Sequence, residues 1–444
     1  MKSRKLSHIQ IIALGYLIMI IIGTSLLMLP ISSRSGSVTN PLTALFTATS
    51  ASCVTGLILH DTATYWSLFG QIVIISLIQI GGLGFMTIAT FFYKLIKRRT
   101  SLRERAVMAE SINTTRMSGF LPLTKKIIAG TVIFEASGAM LLSIRLIPKF
   151  GFLKGIYMGI FHAVSAFCNA GFDLFGTAKP SSSLTTVSGD VVINAVIMLL
   201  IVIGGIGFLV WDDMIACRFR FRRFSLHTKL VLFMTCMLIF GGALLLYIFE
   251  FGSWAPGTSE GEKILASLFG SVTARTAGFN TVDTAALTPA SRLLTVILMF
   301  IGGSPGSTAG GIKTTTVAII FIYLLSNLRG MQNIHCFKRR INEEALKKAV
   351  TVISVNLTLA LAGTLILCAV QGFDISDAMF EVVSAIGTVG MTTGITPELA
   401  PFCQAVIALL MFCGRVGSVS FGLALLERKA KPPVSYPEES ITIG

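Results

Sequence analysis

Charged side chains are scarce in this sequence: Asp, Glu, Lys and Arg make up 13% of its 444 residues, whereas 53% are hydrophobic. Soluble domains carry about 25% charged residues, so this shortage excludes an ordinary soluble protein and indicates a polytopic membrane protein. Apolar runs near the roughly 20 residues needed to cross a bilayer recur along the chain. We count eight such runs: 8–29, 70–93, 121–147, 191–211, 228–250, 292–325 (interrupted), 349–371 and 402–426.

The first apolar run follows Lys2, Arg4 and Lys5, as the core of a signal peptide would. Its apolar core is too long for that, and no small-x-small cleavage motif precedes Pro30. We therefore interpret this run as a retained first helix.

Acidic residues are the scarcer charge, with 21 Asp and Glu against 36 Lys and Arg and a net charge of +15. The Lys and Arg residues concentrate near the N-terminus, in 94–126, 218–229 and 329–348, and in the C-terminal tail. This asymmetry follows the positive-inside rule and predicts a multi-pass protein of the cell membrane with both termini in the cytoplasm. The basic surface is expected to contact anionic lipids first and an acidic partner second, and not nucleic acid.

Motifs for catalysis, metal binding and ATP hydrolysis are missing. The eight cysteines show no CxxC or zinc-ligand spacing. Five of them lie in apolar context and are predicted to be small buried side chains: Cys53, Cys168, Cys236, Cys368 and Cys413. Gly302–Gly306 matches G-x-S-x-G, but no strand precedes it and the histidines lie elsewhere. Gly306–Thr314 resembles a P-loop, except that Ile312 intrudes before Lys313. We therefore expect neither an enzyme nor a protein that pumps by itself, and no covalent cofactor.

What the sequence does contain is a fourfold repeat. Four segments begin with a bulky apolar residue and end with Gly and another apolar residue: FTATSASCVTGL (46–57), FHAVSAFCNAGF (161–172), LFGSVTARTAGF (268–279) and FEVVSAIGTVGM (380–391). A second set follows them in the same order: IGGLGF (80–85), IGGIGF (203–208), IGGSPG (301–306) and CGRVGS (413–418). The glycines of the first set, Gly56, Gly171, Gly278 and Gly390, are spaced by 115, 107 and 112 residues, so a whole unit repeats.

Each unit reads as a span, a short apolar segment, a glycine loop and a second span, and two spans per unit make the repeats parallel. The short segments, of about a dozen residues, reach only about halfway through a hydrocarbon core of roughly 30 Å, as re-entrant helices do. We therefore predict an all-α polytopic membrane protein with four parallel, pseudo-symmetric span–re-entrant pore loop–span repeats around a central pore. The predicted units are 1–93, 121–216, 228–328 and 347–427, followed by a cytoplasmic tail, 428–444.

The glycine loops contain no acidic residue, which excludes a ring of carboxylates as the source of ion selectivity. Glycine permits torsions that turn successive carbonyls toward one axis, and such carbonyls can replace the hydration shell of a monovalent cation. The partly negative C-terminal ends of the re-entrant helices would point at the same centre. The candidate selectivity-filter residues are Val54, Thr55, Gly56, Asn169, Ala170, Gly171, Thr276, Ala277, Gly278, Thr388, Val389 and Gly390.

These four loops, with a glycine-rich break in the third unit, resemble the Ktr/Trk/HKT superfamily of potassium transport proteins, and most closely the bacterial Ktr-type membrane subunit. The resemblance covers about residues 8 to 426. It implies K⁺ as the transported ion, because a serine in place of Gly56 goes with sodium transport in this superfamily. It also implies a homodimer and a cytoplasmic ring of nucleotide-binding RCK-type regulatory subunits, which the basic loops 94–105, 218–223 and 338–348 could dock. Whether Na⁺ is a coupling or activating ion stays open.

The third unit also contains a polar segment, 302–313, between two apolar runs. Its glycines and Pro305 cannot hold a straight helix, and Lys313 exposed to lipid would cost roughly 2.5–3.5 kcal/mol. In the superfamily, the matching segment lies across the pore below the filter and acts as a gate that a matching arginine contacts. The candidate gate residues are Gly302, Gly303, Ser304, Pro305, Gly306, Ser307, Thr308, Ala309, Gly310, Gly311, Lys313 and Arg415.

Two arginines near these sites are exceptional within the repeat. Arg415 replaces Gly82, Gly205 and Gly303 of the other units and is a functional candidate, because a charge at membrane depth is costly. Arg275 precedes the third filter loop, and we expect it to brace the filter against Glu381.

Three other functions remain open at this point. A sodium-coupled solute symporter fits the hydropathy but not the parallel repeats or the lack of a pocket lined by polar side chains. An intramembrane serine hydrolase would use Ser304, and a scaffold would carry no flux at all.

Overall fold

The computed structural model of the chain describes residues 8–84, 87, 120–177, 183–254, 257–331 and 335–417. The predicted basic loop 94–105 and tail 428–444 lie outside the described residues. The α-helices are α1 (His8–Met28), α2 (Pro41–Cys53), α3 (Thr62–Tyr65), α4 (Leu68–Leu83), α5 (Phe120–Phe150), α6 (Phe152–Phe167), α7 (Val191–Ile206), α8 (Phe208–Ala216), α9 (Leu226–Phe249), α10 (Glu260–Thr273), α11 (Pro289–Phe300), α12 (Thr314–Leu328), α13 (Glu343–Gln371), α14 (Ile375–Gly387) and α15 (Pro401–Val416).

Short elements connect these helices. Single 3₁₀ turns occur at Pro30–Ser32, Phe175–Thr177, Ser183–Val187, Phe221–Arg223, Thr284–Ala286 and Thr396–Glu398. One hairpin pairs β1 (His335–Cys336) antiparallel with β2 (Arg339–Arg340). The described part of the chain is therefore all-α apart from this hairpin.

The first helix of each repeat is long and exposes apolar side chains. These helices, α1, α5, α9 and α13, contain 21, 31, 24 and 29 residues. Among the described residues they are the four unbroken helices long and apolar enough to cross a membrane. Large side chains on them, such as Ile133 (62% exposed) and Leu365 (70% exposed), lie on outward faces. An apolar outer surface of this kind suits contact with lipid rather than water.

The second helix of each repeat is shorter, and its C-terminal half is mostly buried. These helices, α2, α6, α10 and α14, contain 13, 16, 14 and 13 residues. At 1.5 Å per residue they are about 20–24 Å long, less than a hydrocarbon core of roughly 30 Å. Three of them begin at side chains that accept backbone N–H groups of the first turn, Asn40, Ser259 and Asp374. Their length and burial suit helices that enter the membrane without crossing it.

In three of the repeats, the helix at the position of the predicted second span ends at a glycine. Helices α4, α7 and α15 stop at Gly84, Gly207 and Gly417, whose φ angles are 78°, 106° and 96°. Proline cannot adopt a positive φ, and Pro305 occupies this register in the third repeat. Between α7 and α8 the chain bends by 88°. The apolar run predicted over 191–211 therefore forms two helices, α7 and α8, because Gly207 breaks it.

Of the eight predicted spans, four correspond to the long helices and a fifth to the bent pair α7–α8. The remaining three contain the helices α4, α11, α12 and α15, which have 16, 12, 15 and 16 residues. The interrupted span at 292–325 is confirmed as two helices, with α11 ending at Phe300 and α12 beginning at Thr314. The first and fourth repeats would continue beyond Gly84 and Gly417. Residues 85–119 other than 87, and all residues after 417, lie outside the described residues.

In the first, second and fourth repeats, a glycine near the end of α4, α7 and α15 lets that helix lie against the re-entrant helix of its own repeat. A Cβ atom would overlap a backbone carbonyl there: at Gly81 that of Ser52, at Gly204 that of Phe167 and at Gly414 that of Ile386. So close an approach requires a residue without a side chain. Neighbouring repeats then close a ring, because α4 packs on α6, α7 on α10, α11 on α14, and α15 on α2.

Candidate functional site

The four predicted filter loops share one backbone shape. Each re-entrant helix leads into a residue with left-handed torsions: Val54 (φ 58°), Asn169 (60°), Thr276 (73°) and Thr388 (52°). Such torsions are uncommon for residues other than glycine. The filter glycine two positions on is also left-handed, with φ of 95°, 70°, 78° and 91° in chain order. All twelve residues of the four triplets are buried.

The loops meet each other in a closed ring. A Cβ atom at Gly56 would lie 2.5 Å from Ala170 O, and one at Gly171 would lie 2.7 Å from Ala277 O. The same relation continues from Gly278 to Val389 O and from Gly390 back to Thr55 O. Each loop therefore contacts the next through glycine, and a larger residue at these positions would displace a carbonyl of its neighbour.

Hydroxyl groups of the re-entrant helices brace the first and fourth loops through their glycine N–H groups. The N–H of Gly56 donates to Ser50 Oγ at 3.0 Å, and the N–H of Gly390 donates to Ser384 Oγ at 3.1 Å. Because the N–H groups point at the helix, they are turned away from the ring.

The second and third loops are braced in the opposite sense. Ser165 Oγ donates to Phe172 O and Thr273 Oγ1 donates to Phe279 O, both at 2.7 Å. The carbonyl that follows the filter glycine is held against the helix in these two repeats. The bracing therefore divides the ring into two pairs of neighbouring loops, which the sequence repeat did not predict.

The polar segment 302–313 forms a loop with a narrow neck beside the ring. Ile301 and Ile312 pair as a parallel bridge at its base. The loop rests on the break of α7, where Ser304 N–H donates to Gly205 O at 3.0 Å and Phe208 N–H donates to Gly306 O at 2.7 Å. Helix breaking at this point of the second repeat thus makes room for the segment of the third.

The far side of this loop touches two of the filter loops. Thr308 Oγ1 donates to Phe167 O at 3.1 Å, at the end of the second re-entrant helix. A Cβ atom at Gly310 would overlap the side chain of Thr388, the first residue of the fourth triplet. The structure thereby brings the predicted gate segment against the predicted filter.

Lys313 closes the loop on itself. Its Nζ donates to Ala309 O at 2.8 Å and to Gly310 O at 3.2 Å. The side chain is half-buried rather than extended toward lipid. Its charge is therefore compensated by carbonyls of the loop that it ends.

Arg415 joins three repeats. Its guanidinium donates to the carbonyl of Thr308 in the polar segment, and to those of Gly81 and, at 3.0 Å, Gly82 in the first repeat. Its Nε lies 3.3 Å from the hydroxyl of Tyr16. The arginine that replaces a glycine of the repeat thus links the first, third and fourth repeats by hydrogen bonds.

The predicted pairing of Arg275 with Glu381 is wrong. Among the described residues no ion pair joins them, Arg275 Nε has no partner, and the Glu381 carboxylate accepts from the Thr396 hydroxyl. Arg275 lies three residues before its filter glycine and Glu381 nine residues before its own. Six residues of helix correspond to about 9 Å, so the two side chains sit at different depths.

A half-buried carboxyl group beside the second loop, that of Glu135, was missed. Gln79 Nε2 donates to Glu135 Oε2 at 3.1 Å, and Cys168 Sγ lies 3.6 Å from Gln79 Oε1. Cys168 directly precedes the second triplet. The signal was available, because Glu135 stands in the apolar run 121–147 and an acid at membrane depth is a functional candidate.

An all-helical molecule with membrane-length helices around a central ring of glycine loops defines a multi-pass membrane protein of the ion-transport class. The family described as TrkH, cation transport protein, matches residues 4–432, and the chain belongs to this family. The potassium/sodium uptake protein NtpJ of Enterococcus hirae is 42% identical over 99% of this chain and 98% of that protein. The Ktr system potassium uptake protein B of Bacillus subtilis is 40% identical over 98% of this chain and 96% of that protein.

Solved structures give the same fold. The crystal structure of the potassium transporter TrkH from Vibrio parahaemolyticus superposes with a TM-score of 0.74 at 17% identity, covering 96% of this chain and 86% of that one. The family resemblance and the all-α membrane fold are confirmed. The relatives are cation transporters and not enzymes, so the chain is not a serine hydrolase. In agreement, Ser304 Oγ is engaged by Thr314 Oγ1 at 3.1 Å.

Proposed function

We propose that the chain is the ion-translocating membrane subunit of a potassium uptake system. The single observation that carries this proposal is the closed ring of four glycine loops. Each loop contacts the next through a glycine at which any side chain would overlap a carbonyl oxygen of the neighbouring loop. The named functions of the relatives, potassium or potassium and sodium uptake, support K⁺ as the ion. They do not favour the alternative of a sodium-coupled solute symporter.

In this proposal the selectivity filter consists of the four triplets. Backbone carbonyls of the triplets replace the hydration shell of K⁺, and the C-terminal ends of four helices add partial negative charge. The buried hydroxyls of Thr55 and Thr388 have no hydrogen-bond partner among the described residues, which leaves further oxygen atoms in two of the loops. Glycine at all four ring positions, Gly56 included, supports preference for K⁺ over Na⁺.

The segment 302–313 acts as the gate. Three contacts support this role: Thr308 on Phe167 O, Gly310 against Thr388, and Arg415 on Thr308 O. Lys313 and Arg415 add two positive charges next to the predicted path, which raises the barrier for a cation while the segment stays in place. Movement of the neck at Ile301 and Ile312 would open the path without rearranging the filter.

The distribution of basic residues supports a proposed membrane orientation and proposed contacts with lipids. Both termini are proposed to face the cytoplasm of a plasma membrane, and the four repeats to follow the bounds predicted above. The segment 218–223, which carries four arginines together with the exposed Phe219 and Phe221, suits contact with anionic lipids. A homodimer and a cytoplasmic RCK-type ring are the proposed protein partners, and Na⁺ is proposed as a coupling or activating ion.

The test is growth of a potassium-uptake-deficient bacterium at low external potassium, followed by K⁺ uptake into proteoliposomes with and without Na⁺. We expect the chain to restore growth and uptake. Gly278→Val should abolish both, because its side chain would enter the ring. The matched control is Gly241→Val, where a Cβ atom meets nothing within 4 Å. A folded, membrane-inserted wild-type protein without K⁺ uptake would rule the proposal out.

A further inference from the structure

Each re-entrant helix places a buried side chain nine residues before its filter glycine. In chain order these residues are Thr47 (3% exposed), His162 (1%), Phe269 (1%) and Glu381 (0%). Two of the four, His162 and Glu381, carry hydrogen-bonding groups that reach the loops leaving the filter. They belong to the second and fourth repeats, which face each other across the ring because the glycine contacts run in chain order.

The imidazole of His162 connects its helix to the second loop. Its Nδ1 lies 2.7 Å from Met158 O, and its Nε2 lies 3.1 Å from the N–H of Leu174. A carbonyl only accepts and an N–H only donates, so Nδ1 carries the proton and both ring nitrogens are engaged. The ring of Phe175 packs on the imidazole with centroids 4.5 Å apart. Leu174, three residues after Gly171, is thereby tied to the helix.

The carboxylate of Glu381 connects its helix to the fourth loop. It accepts from the hydroxyl of Thr396, which lies 2.9 Å from that of Thr392, two residues after Gly390. The carbonyl of Thr392 accepts in turn from Thr284 Oγ1 of the third repeat. One buried carboxylate therefore holds the loop that leaves the fourth filter triplet, and through it the neighbouring loop.

The first and third repeats lack this connection. Phe269 has no polar atom, and no hydrogen bond joins the Thr47 side chain to another of the described residues. The loops leaving the ring are consequently tied at this register along one diagonal and not along the other.

We propose that His162 and Glu381 are positioning residues that set the spacing of the ring's outer carbonyls along this diagonal, and with it the preference for K⁺ over Na⁺. This inference rests on the proposed filter function. Neither side chain touches the ion, and each acts through a hydrogen bond to the loop rather than through charge. Since selectivity by carbonyls depends on how closely they surround the ion, releasing one tied loop changes the energies of K⁺ and Na⁺ unequally.

The test compares K⁺ and Na⁺ uptake into proteoliposomes at equal protein amounts. His162→Leu and Glu381→Leu should each lower the K⁺ over Na⁺ preference about tenfold, equivalent to about 1.4 kcal/mol. Glu381→Gln keeps an oxygen that accepts the hydrogen bond of Thr396. Its preference for K⁺ over Na⁺ should therefore stay within about twofold of the wild-type value. Thr47→Val, at the same register in an untied repeat, is the matched control and should leave the preference unchanged.

Thr396→Val removes the hydrogen-bond donor from the loop without altering the helix that contains Glu381. It therefore tests the inference even if Glu381→Leu does not fold. We expect it to reproduce the loss in Glu381→Leu, and the double variant to lose no more than either single one. Wild-type preference in Thr396→Val, or an equal loss in Glu381→Gln and Glu381→Leu, would overturn the inference. Failure of the wild-type protein to take up K⁺ would instead refute the proposed function, so the two failures are distinct.

Discussion

The guanidinium of Arg415 donates a hydrogen bond to the carbonyl of Thr308, so the fourth repeat holds the middle of the polar segment of the third. The same guanidinium reaches the carbonyls of Gly81 and Gly82 in the first repeat. A side chain with five donors in a planar fork can serve several carbonyls at once. The arginine is thereby placed to keep the segment beside the filter loops.

Arg415→Ala should raise the rate of K⁺ uptake. The change removes a positive charge near the path and frees the carbonyl of Thr308, so the segment is held less firmly. Arg415→Lys retains the charge but cannot bond to all of these carbonyls, and its uptake should be intermediate. Uptake is measured in proteoliposomes at matched protein amounts. Slower uptake by Arg415→Ala would contradict a role in holding the gate closed.

Gly56→Ser should lower the preference for K⁺ over Na⁺ about tenfold, which requires only about 1.4 kcal/mol. The new Cβ atom would lie 2.5 Å from Ala170 O, so the neighbouring loop has to shift. Gly36→Ser is the matched control, because Gly36 also has a positive φ, 69°, but nothing within 4 Å. Uptake of the two ions is measured in parallel. An unchanged ratio of K⁺ to Na⁺ uptake in Gly56→Ser would show that the first loop is not part of the filter.

Deletion of residues 306–311 should speed K⁺ uptake while largely preserving selectivity. Ile301 and Ile312 already pair at the base of the loop, so the shortened chain can close there without pulling on α11 or α12. Membrane abundance and uptake rate are measured together. Loss of protein from the membrane would indicate a structural role, and a folded protein without flux would assign the segment to the transport path itself.

Asp190→Ala should destabilise the N-terminal end of α7 by about 0.5–2 kcal/mol, the usual effect of losing an N-cap. Asp190 accepts from Ile193 N–H at 3.3 Å and pairs with Arg145 and Lys149 at 3.1 and 3.4 Å. Asp190→Asn keeps the cap but loses the ion pairs with two half-exposed cations, so its effect should be smaller. Thermal unfolding in detergent measures both variants. Equal losses in Ala and Asn would mean that the charge, and not the cap, stabilises this end.

The pH dependence of this contribution has a definite sign. Burial alone would raise the pKa of Asp190, but Ile193 N–H, Arg145 and Lys149 outweigh it and hold the pKa below its ordinary value. The stabilisation is therefore complete above the unfolded value of about 3.9 and is lost as the pH falls through the lower folded pKa. The stability difference between wild type and Asp190→Asn should shrink only in that acidic range.

Much of the architecture depends on residues that lie close together in the chain and could therefore be predicted from the sequence. Apolar runs, the four segments that end in Gly56, Gly171, Gly278 and Gly390, and the break at 302–313 each follow from residues close together in the chain. Helix length and burial depend on hydropathy over such windows, and left-handed torsions depend on the loop residues themselves. The repeat also predicted that the loops share one shape.

The contacts between distant parts of the chain could not be predicted from the sequence and follow from the three-dimensional fold. The order of the loops around the ring and the hydrogen-bond partners of Arg415 join residues far apart in sequence. The same holds for the partner of Glu381, which is Thr396 and not Arg275 as the sequence suggested. Hydropathy and spacing carry no information on such pairs, because many side-chain arrangements share one pattern of apolar positions. The two senses of hydroxyl bracing show the same limit: Ser50 and Ser165 occupy one register of the repeat, yet one accepts and the other donates. Packing of the neighbouring helices selects between these arrangements, since each buried polar group must find the partner that lies within reach.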